Sequence, residues 1–379
     1  MTDDSATIGG RLVLDDRVEA GRITVEDGVI VTVEPVDGAS SAGHDAGPFI
    51  TPGFVDVHVH GGGGHDAMDG VAGMDGMARH LIRHGVTSFL PTGVTARLPD
   101  LVRFAEAFRT WQASVTPDVA EPLGYNLEGP FLSARRKGAH DPTYLRDPAD
   151  VPFDDLEPLL DGLRLMTVAP EIPGALELIR WLHERGVATS MGHSAATLEQ
   201  ARAGYAAGGT STTHLFNAMS GVDHRDPGLA VAALGNDEAY VELIADGIHV
   251  HPALWPLISR LKPTDRLLLV SDATSLAGTG DGRATIGGLE VEVVGQRVTL
   301  VGTTTLAGSV IALDDAVRNL VGSGVALPAA VAAASRNPLA MLGVLDRGRI
   351  AVGQRADLVE LDAGLRVRRV MRAGVWLDG

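Results

Sequence analysis

The chain has 379 residues, a formal net charge of −17, 45% hydrophobic residues and no cysteine. The charge makes nucleic acid and anionic membrane surfaces poor partners, and without cysteine any metal must sit on His, Asp or Glu. No apolar run reaches the roughly 18 residues that a membrane span needs, and the polar, acidic stretch Met1–Gly10 lacks a charged-then-apolar leader, so the expected compartment is the cytoplasm.

The length suggests one large domain with an accessory part. Short strands are expected at Arg11–Leu14, Val18–Val25 and Val29–Val33, separated by the turn signals Asp15-Asp16 and Asp27-Gly28, with a loop over Ser40–Gly47. Ala356–Leu361 and Val367–Leu377 are strand-like too. Two β-rich ends flanking a different middle predict a small β-sandwich domain formed from both termini, residues 1–51 plus 345–379.

Over residues 52–344, strands alternate with helical patterns. The strands are expected at Phe54–His60, Thr87–Pro91, Leu123–Glu128, Leu165–Ala169, Ala188–His193, Ser211–Phe216, Val241–His249 and Leu267–Asp272. Between them, Met74, Met77, Ala78, Leu81 and Ile82 keep helical spacing, and Thr197-x-x-Gln200 is a capping-box pattern. This rhythm predicts an α/β fold, a TIM-like (β/α)8 barrel, with a doubly wound sheet as the alternative. Apolar–polar alternation over Arg283–Val301 predicts a β-hairpin inserted at about residues 281–303, before a helix at Ile311–Val321.

In such a barrel the active site lies at the C-terminal ends of the strands. The first strand ends in His58-Val59-His60, whose two imidazoles share a face and can hold one metal ion, followed by Gly61 to Gly64. Later strands end in Glu128-Gly129-Pro130, Gly192-His193-Ser194, Thr213-His214, Asp246–His249 and Ser271-Asp272-Ala273. Of 13 histidines, His58, His60, His140, His193, His214 and His249 are candidates for this face. His44, His80, His84 and His183 are expected to be solvated or structural, and His65, His224 and His251 are undecided. Neutral imidazoles with carboxylates suit a divalent metal such as zinc or iron. Such an ion lowers the pKa of a bound water. Asp272 could then serve as general base turned acid, or simply cap the segment after its strand.

The stretch Pro52-Gly53-Phe54-Val55-Asp56-Val57-His58-Val59-His60 resembles the first-strand motif of the amidohydrolase superfamily, and Gly348-x-Ile350-x-x-Gly353-x-x-Ala356-Asp357 resembles its return into a small β domain. Leu127–Phe131, Arg136–His140, Gly192–Ser194, Thr213–Met219, Arg225-x-Pro227-Gly228, Ile244–Val250, Ser271–Ala273 and Leu306–Ser309 are similar, in order, to segments of its N-acetylglucosamine-6-phosphate deacetylase family. The resemblance implies metal-dependent hydrolysis of that sugar's N-acetyl group to glucosamine 6-phosphate and acetate. It implies that Glu128, His193 and His214 hold the common metal, with Asp272 as the acid/base. His140 and His249 would contact the sugar and help polarise the acetamide carbonyl. Asn217, the backbone N–H of Ala218, and Arg225 would bind the phosphate. The family acts as a dimer, and the resemblance allows a phosphate contact from the neighbouring subunit. Some members replace the first-strand histidines with amides and keep one metal; His58 and His60 therefore point to a second ion. Many two-metal relatives carry a bridging lysine on the fourth strand, which Leu165–Pro170 lacks, so Glu128 would take that place. The rival readings are a different metal-dependent C–N hydrolase and a non-catalytic barrel that binds an amino-sugar phosphate.

Overall fold

The structure is a computed structural model that describes residues 5–36 and 47–377. His44 and the expected loop, apart from Gly47, lie outside the described residues. Near the N-terminus, β1 (Ala6–Val13) pairs antiparallel with β2 (Val18–Glu26), which pairs with β3 (Val29–Pro35). Asp27 and Gly28 join β2 to β3 with φ of 49° and 78°, the double left-handed turn that suits the twist of a hairpin. β4 (Phe49–Pro52) then lies parallel to β1 and leads into β5 (Phe54–Val59), the first barrel strand.

A short hairpin of β6 (Gly61–Gly62) and β7 (His65–Asp66) leads to α1 (Gly70–Arg83), which buries the predicted face of Met74, Met77, Ala78, Leu81 and Ile82. Next come β8 (Val86–Val94), α2 (Leu98–Gln112), a two-residue β9 (Glu121–Pro122), β10 (Tyr125–Glu128) and α3 (Glu157–Leu160). The alternation continues through β11 (Leu163–Val168), α4 (Ala175–Glu184), β12 (Ala188–Met191), α5 (Leu198–Ala206), β13 (Ser211–Thr212) and α6 (Leu229–Leu234). It ends with β14 (Tyr240–Leu243), α7 (Trp255–Leu261) and β15 (Leu267–Leu269). The capping box at the start of α5 is present in both directions.

The barrel strands run in the order β15-β14-β13-β12-β11-β10-β8-β5, all in parallel. The seam between the two ends is bridged where Asp272 N donates to His58 O at 2.8 Å. Val55, Val57, Leu90, Leu165, Leu268 and Val270, from strands on different sides, fill the interior on the N-terminal side of the site. Several strands are shorter than predicted. β13 stops at Thr212 because His214, Phe216 and Ala218 take positive φ. β14 stops at Leu243, and further on Asp246 Oδ1 accepts the N–H groups of Ile248 and His249 at 2.8 and 2.9 Å, making a turn where extended chain was expected.

The inserted hairpin has a third strand. β16 (Gly282–Ile286), β17 (Leu289–Val294) and β18 (Arg297–Leu300) form an antiparallel meander that turns at Gly287-Gly288 and Gly295. After it come α8 (Leu313–Gly322), α9 (Leu327–Ala333), α10 (Arg336–Met341), β19 (Leu358–Leu361), β20 (Val367–Arg372) and β21 (Val375–Leu377). The last three join the N-terminal strands in one continuous sheet, β21-β20-β19-β4-β1-β2-β3. The sheet wraps over on itself. Ile30 exchanges backbone hydrogen bonds with Gly353 and Gln354, and Leu12, Ile23, Ile30, Ile50, Leu358 and Met371 close around one apolar core. An ionic cluster ties this sheet to the barrel: Glu121 Oε2 lies 2.6 Å from Arg355 and 2.9 Å from Arg347.

Candidate active site

β5 carries His58 and His60 to the barrel mouth, with their ring centroids 5.2 Å apart and both side chains buried. The pairing of β5 with β8 shifts register between Asp56 and Val59, so the strand bulges at His58 instead of alternating strictly. Glu128 ends β10 and reaches both sides of the site. Its Oε1 lies 3.0 Å from His193 Nε2, 3.0 Å from His214 Nε2 and 3.6 Å from His58 Nε2. Its Oε2 lies 3.3 Å from both His60 Nε2 and His140 Nε2. Asp272 Oδ1 stands 3.2 Å from His60 Nε2 and 3.6 Å from His58 Nε2. Two buried groups therefore have donor atoms close enough to share an ion: His58, His60 and Asp272, and Glu128, His140 and His193. His214 joins the second, its Nε2 being 3.1 Å from that of His193.

Main-chain carbonyls orient two of these rings. His60 Nδ1 is 3.1 Å from Thr92 O and His193 Nδ1 is 2.9 Å from Arg136 O, so both rings donate through Nδ1 and turn Nε2 inward. The inner nitrogen of His58 has no hydrogen-bond partner among the described residues although it is fully buried, which is rare for a polar atom that binds nothing. Burial opposes charge on His60, yet Asp272 and Glu128 raise it to about 9. Burial opposes charge on His58 too, and Glu128, Asp272 and Glu242 raise it well above the usual imidazole range. Burial and the neighbouring His193 push His140 down to about 4 against the pull of Glu128. Burial works against charge on Glu128, but the surrounding imidazoles hold it well below the usual carboxylate range. Buried carboxylates and imidazole nitrogens converging on one another are the donor set of a divalent ion, which would replace the protons on His58 and His60. The residues fit such a group.

These side chains floor a cavity of about 570 Å³. Asn217, Ala218 and His249 line it. Asn217 Nδ2 donates to His214 O and Leu215 O, and His249 Nδ1 lies 2.6 Å from Asp246 Oδ2. Arg225 is elsewhere: it sits in an exposed turn where its N–H donates to Asp223, and it does not line the cavity. Arg135, Arg136 and Lys137 form part of the rim, and Ile286, Gly287 and Leu306 close the opposite side. The undecided His65, His224 and His251 are exposed and outside the cavity.

Two buried carboxylates were not singled out in the sequence. Asp56 Oδ1 accepts the N–H groups of His58 and Ser271, pinning the seam, and burial raises its pKa to about 6. Glu242, in the middle of β14, holds His58 Nδ1 at 3.0 Å. The available signal was a lone charge inside an otherwise apolar strand.

With this geometry in view, comparisons place the chain. The model of the Amidohydrolase family matches residues 49–377. The chain belongs to the amidohydrolase family, among the N-acetylglucosamine-6-phosphate deacetylases. An N-acetylgalactosamine-6-phosphate deacetylase of Escherichia coli O157:H7 is 40% identical, over 97% of this chain and 94% of its own length. An N-acetylglucosamine-6-phosphate deacetylase of Homo sapiens is 38% identical, over 97% and 93%. A variant N-acetyl-D-glucosamine-6-phosphate deacetylase from Mycobacterium smegmatis, solved with N-acetyl-D-glucosamine-6-phosphate, superposes with a TM-score of 0.89 at 36% identity, covering 98% of this chain and 99% of the other. In this amidohydrolase the fourth barrel strand, β11, carries Thr167, bonded to Thr213 at 3.0 Å. Glu128, whose Oε1 faces His58, His193 and His214 and whose Oε2 faces His60 and His140, is the carboxylate that spans the two groups. No helix is long and apolar enough to cross a membrane among the described residues.

Proposed function

We propose that the chain hydrolyses the N-acetyl group of N-acetylglucosamine 6-phosphate, giving glucosamine 6-phosphate and acetate. The observation that carries this reading is the convergence of Glu128, His193 and His214 on one point, with Asp272 across from them on the floor of an open cavity. We assign the common ion to Glu128, His193 and His214 and a second to His58 and His60, with zinc or iron as the metal. When bound, such an ion supplies Lewis acidity, lowering the pKa of water and polarising a carbonyl.

The chain's own groups do the rest. Asp272 takes a proton from the attacking water and delivers it to the departing amine nitrogen, so the C–N bond breaks with the proton already in place. His140, which burial keeps neutral at pH 7, donates a hydrogen bond toward the oxyanion and the sugar together with His249. Asn217 and the Ala218 N–H hold the phosphate. Arg225, exposed and away from its own cavity, reaches a phosphate across a homodimer interface. The barrel domain, residues 52–344, carries the reaction, and the small β domain assigned to residues 1–51 and 345–379 anchors it. The compartment is the cytoplasm.

A second reading has its own support: the Escherichia coli relative is named for the galactosamine epimer. Acetate release from ion-loaded protein on the two phosphorylated sugars and on unphosphorylated N-acetylglucosamine tests both. The fastest release is expected from N-acetylglucosamine 6-phosphate. Preference for the galactosamine epimer would shift the assignment to that sugar, and equal rates without the phosphate would overturn the phosphate reading.

A further inference from the structure

Glu242 is fully buried at the centre of β14, between Val241 and Leu243, where an apolar residue would pack without cost. Its Oε2 lies 3.0 Å from His58 Nδ1 and accepts the backbone N–H of His214 at 3.2 Å. Its Oε1 has no hydrogen-bond partner among the described residues. One oxygen thus touches a residue on each side of the site: the ring of His58 and the main chain of His214.

The outer nitrogens of the neighbouring rings are treated differently. His60 and His193 donate to main-chain carbonyls, which fix tautomer and ring orientation but, being uncharged, strengthen the inner nitrogen less than a carboxylate does. His214 Nδ1 has no hydrogen-bond partner among the described residues. His58 faces a carboxylate, which sets the tautomer and also makes the inner nitrogen a stronger donor. We infer that Glu242 is a positioning residue. It fixes the Nδ1–H form of His58, aims its Nε2 at the ion point shared with His60 and Asp272, and thereby sets the affinity of that ion. Its contact with His214 is to the main chain and leaves that ring's donor nitrogen untouched, so the ion on Glu128, His193 and His214 is unaffected as long as an acceptor for the His214 N–H remains. The inference rests on the two-ion reading above.

The test is titration of chelator-stripped protein with zinc(II) against a chromophoric competitor, without any activity measurement. Wild-type protein should take up two ions, and His58→Asn should remove one. Glu242→Leu, which leaves His58 without its acceptor, should weaken that same ion about 100-fold, whereas Glu242→Gln, which keeps an acceptor oxygen but no charge, should weaken it about 10-fold. In Glu242→Gln, whose amide oxygen still accepts the His214 N–H, the other ion should keep its wild-type affinity. Unchanged affinity for both ions in both variants would overturn the role of Glu242. A wild-type protein with no ion sensitive to His58→Asn would overturn the two-ion reading itself, and the inference with it. Should either variant fail to fold, the zinc-loaded wild type decides: the imidazole N–H resonance assigned to His58 should be Nδ1–H, and an Nε2–H proton would sink the idea.

Discussion

β5 brings His58 to the site within the strand and His60 one residue past it, neither at positive φ, whereas His193, His214 and Asp272 lie beyond the ends of their strands at φ of 46°, 29° and 50°. A non-glycine residue in that left-handed region costs about 1–2 kcal/mol, so each must be held by its surroundings. Each is. His193 O accepts Ser133 N at 2.9 Å, His214 N donates to Glu242, and Asp272 both donates to His58 O and accepts Ser309 N at 2.8 Å. The difference shows that the first pair is delivered by one strand and its rings are oriented by Glu242 and Thr92 O, while the left-handed set depends for its backbone on bonds from elsewhere in the barrel.

The largest expected effect is on the left-handed side. Asp272→Asn should lower kcat by about 100- to 10,000-fold, the range for losing a general acid–base, with zinc still bound by the Glu128 group. Turnover near wild type would remove Asp272 from the mechanism. Metal loss should then separate the two sets. His193→Asn is expected to abolish both the ion on Glu128, His193 and His214 and turnover, while His58→Asn should remove the other ion and keep measurable activity. The reverse order, read by metal analysis beside acetate release, would make the first pair the essential one.

Gly138 sharpens the dependence on loops. It has φ 57°, and a Cβ there would lie 2.9 Å from His193 Cε1. Gly138→Ala should therefore displace that ring and lower kcat/KM by about 10-fold or more, an expectation drawn from the sensitivity of ligand orientation. A wild-type rate would show that the loop does not hold His193.

The smallest effect lies far from the site, where Arg355, Arg347 and Arg372 outweigh burial and hold Glu121 below the usual carboxylate range. The folded pKa is depressed, so this contribution is complete above the ordinary glutamate value and disappears as pH falls through the folded value. Glu121→Gln should cost about 1–3 kcal/mol in denaturant titrations at pH 7 and less in acid, with acetate release unchanged. An equal loss at both pH values would mean that the charge is not what ties the sheet to the barrel.

Much of this architecture is legible along the chain because it rests on local periodicity. The α1 face, the α5 capping box and the alternation of strands and helices need only neighbours in sequence. The His-x-His pair at the end of β5 is visible for the same reason, and matched segments add Glu128, His193, His214 and Asp272. Where strands end was harder to see. β13 and β14 stop short of their predicted ends because left-handed residues and an aspartate-capped turn depend on contacts with distant segments. The third strand of the insertion was hidden likewise, since β18 is recognisable only by its pairing with β17.

By itself, the sequence determined the fold class, the family motifs and the supply of imidazoles and carboxylates, because these depend on spacing and residue type. Only the tertiary structure decided that Glu128 spans both groups, that Arg225 stands away from its own cavity and that Glu242 backs His58. The physical reason is distance. His58 and Glu242 are 184 positions apart in sequence and 3.0 Å apart in space, and no local pattern encodes a meeting that only closure of the barrel brings about.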